Sequence, residues 1–124
     1  MASAPGTPQE RIQVAATALK QLHPDVILLQ QVRDEQMCRQ LAEALRPAHY
    51  QVLVCSAFPD APSGTTATNQ AAILARQPAY ASRTQCWRTP NGTNLPGGLV
   101  FAAIQTEQVR LGLVSVQLND QLAQ

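Results

Sequence analysis

Apolar and polar positions in the first third of the chain follow two different periods. Ile12, Ala15, Ala16, Leu19 and Leu22 recur at helical spacing and give one apolar face up to Pro24. Thr7-Pro8-Gln9-Glu10 supplies the start signal: a hydroxyl cap, proline at the first helical position and Glu three residues after the cap. After Pro24-Asp25, the unbroken run Val26-Ile27-Leu28-Leu29 predicts a strand over 26–31, buried on both faces, that delivers Gln30 and Gln31 to the carboxyl edge of a sheet. From Asp34 or Glu35 the helical period returns in Met37, Leu41, Ala44 and Leu45, and Pro47 ends it. Helix, strand and helix in this order predict a layered α/β arrangement.

Beyond Pro47 the pattern turns to alternation, and strands are expected over 50–55, 70–75, 80–87, 98–105 and 109–118. Gln77-Pro78, 89–97 and 106–108 are turn material, so the last two strands form a hairpin. Residues 56–69, rich in Pro, Ser, Thr and Ala, make a connection longer than most in compact domains, which predicts a mobile rim. There is no convincing internal repeat, and glutamine, with 16 copies, is the only compositional excess.

A chain of 124 residues is one ordinary domain and can bury roughly two-thirds of its unfolded surface. Hydrophobics at 45% and charged residues at 14% argue against disorder, and no apolar run approaches the ~18 residues of a spanning helix, so no membrane is expected. Eight arginines and one lysine against eight scattered acids give a net charge of +1, which presents no basic face for nucleic acid. Cys38, Cys55 and Cys86, odd in number and widely spaced, suggest neither a disulfide framework nor a zinc cluster. The lead "MASAPGTP" carries no targeting pattern, and Asn91-Gly92-Thr93 is a formal glycosylation acceptor that matters only in a secreted protein.

The segments "LKQLHPDVILLQQV", "YQVLVCS", "QAAILARQP" and "GLVSVQL" resemble, in order and spacing over residues 9 to 120, the endonuclease/exonuclease/phosphatase family of metal-dependent phosphoesterases, which includes DNase I-like nucleases. The matching family patterns are L-x-P-D-V-I-x-L-Q-E-V, A-I-L-S-R-x-P and a strand finishing in T-H-L, of which the first is the most specific. The resemblance implies part of a four-layer α/β sandwich: a two-layer lobe with two helices on a mixed, mainly antiparallel sheet. On this reading residues 1–8 are a disordered or extraneous lead, 9–120 the partial domain and 121–124 a frayed tail.

The family's magnesium-binding glutamate falls on Gln31, and its phosphate-contacting histidine falls on Gln117. An amide carbonyl offers Mg²⁺ an oxygen without charge, and each unit charge removed changes a pair interaction at ~4 Å by about 4 kcal/mol at an effective dielectric of ~20. Metal binding at Gln31 is therefore expected to be weak or lost, and no cofactor is expected for this chain, although the family uses Mg²⁺. Gln117 can donate a hydrogen bond to a phosphate but cannot become a cation. The family's first strand, which carries an asparagine, has no counterpart before Gln9, and the downstream Asp-x-Asn and Ser-Asp-His motifs are also without one. These departures imply a partial or degenerate domain that is catalytically incompetent as it stands, with a phosphoester substrate only if a longer parent is active.

A half-sandwich should expose the face its missing half would cover, so the second reading is a self-association or protein-interaction module, with a homodimer or the absent half as partner. A third reading, an unrelated α/β binding domain, would be favoured by a Val26–Leu29 strand at a sheet edge. Other candidates have structural explanations. His23 and His49 lie at helix ends. Asp34 and Glu35 suit helix capping. Arg76, Arg83 and Arg88 would bind phosphate only by converging. Trp87 suits packing, Asn119 and Asp120 read as a solvated chain end, and Ser56, Ser63 and Ser82 lack a matching histidine and acid.

Overall fold

The computed structural model describes residues 6–60, 65–67 and 69–118. Ser63, Asn119, Asp120 and the tail 121–124, named above, lie outside the described residues, as do residues 1–5 of the lead. Helix α1 spans Pro8–Leu22 and opens on the expected capping box: Glu10 N donates to Thr7 Oγ1 at 3.1 Å and Thr7 N to Glu10 Oε1 at 2.8 Å. It ends at His23, whose left-handed backbone (φ 51°) turns the chain and donates N–H to Leu19 O at 3.0 Å. Helix α2, Glu35–Ala44, is capped by Asp34, whose Oδ1 accepts Met37 N at 2.9 Å.

The strands are β1 (Val26–Val32), β2 (Gln51–Cys55), β3 (Pro59–Asp60), β4 (Thr65–Thr66), β5 (Gln70–Ala75), β6 (Ala79–Arg88), β7 (Asn94–Gln105) and β8 (Arg110–Gln117). They form two three-stranded sheets, β1-β5-β2 and β6-β7-β8, and a small β3-β4 ribbon within the segment expected to be one long loop. Every pairing is antiparallel, which replaces the single mixed sheet expected. The β7-β8 hairpin forms as expected, but β7 begins at Asn94 rather than Gly98, absorbing the last four residues of the predicted turn.

Two cores explain the layering. Ile12 and Ala16 of α1 and Cys38 and Leu41 of α2 pack with Ile27, Val32, Ala72 and Leu74 on one face of the first sheet. On its other face Ala71, Ile73 and Phe58 meet Val100 and Ala102 of the second sheet. The molecule is thus three layers, helices on sheet on sheet, where two were expected. The reason is that β5, "QAAILA", has small and branched apolar side chains on both faces, and all six of its residues are buried.

The strand buried on both faces is therefore β5 and not β1. β1 lies at the edge of the first sheet and Leu28 remains 48% exposed. Its four aliphatics divide by alternation: Ile27 and Leu29 pack on the helix side and Val26 on the second-sheet side, while Leu28 emerges at the open side of the sandwich.

Candidate functional site

The two glutamines singled out by sequence sit at the carboxyl ends of β1 and β8. A β-bulge falls between Gln30 and Val32, and Gln31, its extra residue, adopts a left-handed backbone with φ 60°. The bulge turns Gln31 into an open cleft of about 590 Å³ between the helices and β1. Its floor is apolar, with Ile12, Leu29, Val32 and Leu41; among the described residues its polar lining is Gln31, Asn69, Arg11 and Arg33, without a carboxylate. Among the described residues, no three His, Cys, Asp or Glu side chains gather in a metal-binding group. The polar side chains of this cleft, Gln31 included, are thus two amides and two cations, a set that does not fit Mg²⁺, which takes anionic oxygens.

Gln117 closes β8 opposite Gly98, and the neighbouring residues join the two strand ends: Gln30 Nε2 donates to Val116 O at 2.8 Å across the sheets. Trp87 Nε1 donates to the Gln117 carbonyl at 3.0 Å, so the indole braces this strand end. The Gln117 side-chain oxygen and the Ser115 hydroxyl, two residues apart on the same face of β8, are buried and have no hydrogen-bond partner among the described residues. Gly97, at φ +88°, lets β7 pass this point, since a Cβ there would stand 2.4 Å from the Gln117 carbonyl oxygen. The fold therefore brings the ends of β1 and β8 together, with the Gln31 side chain on the helix side and Gln117 between Gly98 and the indole.

The other candidates stay apart. His23 and His49 are exposed. Arg76 stacks over the Tyr50 ring at 5.5 Å, Arg83 donates to Gln85 Oε1 at 3.2 Å, and Arg88 ends β6, so no arginine cluster forms from the three. Glu35 pairs with Arg39 one helical turn on, at the surface.

Sequence reasoning missed Gln70, the fully buried first residue of β5. Its Oε1 accepts Ser56 Oγ at 2.6 Å and Phe58 N at 2.7 Å; its Nε2 donates to Ala67 O at 2.7 Å and Phe58 O at 3.1 Å. The Ser56 hydroxyl in turn accepts Ala71 N at 3.0 Å. One amide thus ties both ends of the 56–69 segment to the sheet. The only sequence signal was a polar residue opening an otherwise apolar strand.

Cys38 of α2 and Cys55 at the end of β2 form a thiol pair that widely spaced sequence positions did not suggest. Interaction with the neighbouring Cys38 thiol holds Cys55 below the ordinary thiol value and, together with burial, pushes Cys38 above it, while Cys55 Sγ donates to Ser56 O at 3.5 Å.

No family model and no curated protein matches this chain. Among solved structures it is similar to an endonuclease/exonuclease/phosphatase family protein from Leptotrichia buccalis C-1013-b, with a TM-score of 0.71 and 18% identity. The match covers 90% of this chain and 48% of that protein, so the chain spans about half its neighbour's length. The edge position of β1, taken alone, is the placement expected of an unrelated α/β domain. The likeness over nearly the whole chain outweighs it and establishes a shared fold.

Proposed function

We propose that this chain is a partial or degenerate domain of the endonuclease/exonuclease/phosphatase type, related to enzymes that hydrolyse phosphoesters with Mg²⁺ but lacking a competent metal site of its own. The observation that carries the reading is Gln31: it stands where the family motif has its acid, and among the described residues its cleft contains Arg11 and Arg33 and no carboxylate. At ~4 Å and an effective dielectric of ~20, exchanging an acid for an amide removes about 8 kcal/mol of attraction for a divalent ion. Gln117, between Gly98 and Trp87, keeps the capacity to orient a phosphate oxygen through its amide but not to neutralise it. Within a longer polypeptide that brought further acids and a histidine, both glutamines would be altered members of a working site.

The test is Mg²⁺- and Mn²⁺-dependent hydrolysis of a bis-aryl phosphate and of DNA by this chain. The expected result is no turnover above the uncatalysed background with either metal. Clear metal-dependent turnover that disappears in Gln31→Ala would overturn the reading.

A second reading, an interaction module, is favoured by one further observation. The outer face of the second sheet carries Phe101 opposite Val114 and Leu99 opposite Val116, and Val114 is half exposed.

A further inference from the structure

The four outer strands of the two sheets are not equally protected. β2 is interrupted by a bulge between Val52 and Val54, β6 carries Arg83 and Arg88 with a bulge near each end, and β8 begins at Arg110. Charges and bulges of this kind blunt a free edge. β1 has neither over Val26–Gln30: five uncharged residues in regular register, the bulge arriving only at Gln31.

The direction of its free backbone groups follows from one bond. Arg76 N donates to Asp25 O at 3.2 Å, so Asp25, Ile27 and Leu29 turn their N–H and C=O groups toward β5. Val26, Leu28 and Gln30 turn theirs to the open edge, with the exposed Leu28 at the centre.

We propose that the β1 edge binds the β1 edge of a second copy of this chain, joining two first sheets into one continuous six-stranded sheet about a two-fold axis at Leu28. This rests on the second reading above and moves its surface from the face to the edge. Antiparallel pairing about Leu28 sets Val26 against Gln30 of the second copy and Ile27 against Leu29, so all three outward-facing residues find backbone partners. The flanks do not oppose the pairing: β1 is preceded by Asp25 and followed, past the bulge, by Arg33, neither in an ion pair with another described residue. The two-fold axis brings each Asp25 beside the partner's bulge pair Gln31 and Val32, which are uncharged. Like charges never meet, and the run is complementary to itself. The exposed Leu28 side chains become cross-strand neighbours across the axis.

Sedimentation velocity across a wide concentration range tests this on the wild-type chain, on Leu28→Lys and on Val114→Lys. The expected result is a reversible dimer, weakened about tenfold or more by Leu28→Lys, which sets two like charges opposite each other, and unchanged by Val114→Lys. Amide exchange of the wild-type chain gives a measurement independent of variant folding: the amides of Val26, Leu28 and Gln30 should slow on concentrating. A dimer that Val114→Lys dissolves and Leu28→Lys spares overturns the edge proposal and leaves the second reading standing. A monomer at every concentration overturns both. Should Leu28→Lys fail to fold, unchanged exchange at those three amides on concentrating also overturns the proposal.

Discussion

Replacing Gln70 by methionine preserves the volume and unbranched shape of the side chain while deleting the amide. Four hydrogen bonds go with it. Two of the groups left behind are buried donors with no second partner among the described residues: the Phe58 N–H and the Ser56 hydroxyl hydrogen. Phe58 O is less affected because it still accepts Ala67 N at 2.9 Å. At about 1–3 kcal/mol for each buried group left unpaired, the expected loss is about 2–6 kcal/mol, centred near 4. That is a large part of the ~5–15 kcal/mol by which a domain is stable. Urea unfolding followed by the fluorescence of Trp87, the single tryptophan, measures it. With a slope of about 2 kcal/mol/M the midpoint should fall by about 2 M at unchanged slope. Ser56→Ala should add little once Gln70 is gone, because both act in one network. A midpoint shift under about 0.5 M, or full additivity of the two substitutions, would refute the clamp.

Three further expectations follow from other parts of the molecule. Thr7→Ala removes the capping box and should cost about 1 kcal/mol, read as a lower thermal midpoint by circular dichroism. Gly97→Ala forces a side chain onto a positive φ and a Cβ to 2.4 Å from the Gln117 carbonyl. It should cost at least the ~1–3 kcal/mol of such backbone strain, with a shifted Trp87 emission as the β8 end is displaced. Alkylation followed by mass spectrometry should find Cys55 reactive with a midpoint below the ordinary thiol value, since interaction with the Cys38 thiol favours its thiolate, and Cys38 reactive only above it. Cys38→Ala should move the Cys55 midpoint up, and a Cys55 midpoint unmoved by that change would contradict the pairing.

The sequence determined the elements whose cause is local. The capping box at Thr7, the Asp34 cap, the apolar faces of α1 and α2 and the β7-β8 hairpin depend on residues a few positions apart, where spacing and chemistry suffice. It also determined the identity of Gln31 and Gln117, and with it the absence of a charge at either position. Only tertiary structure decided which strand is central, because a run such as Val26–Leu29 reads alike whether its neighbours cover both edges or one. β5 gained both neighbours, two layers above and below, and the Gln70 clamp from segments 12 to 14 residues away. The thiol pair and the junction of Gln30 with Val116, 86 residues on, have the same origin: contacts set by the packing of layers, which no periodicity along the chain encodes.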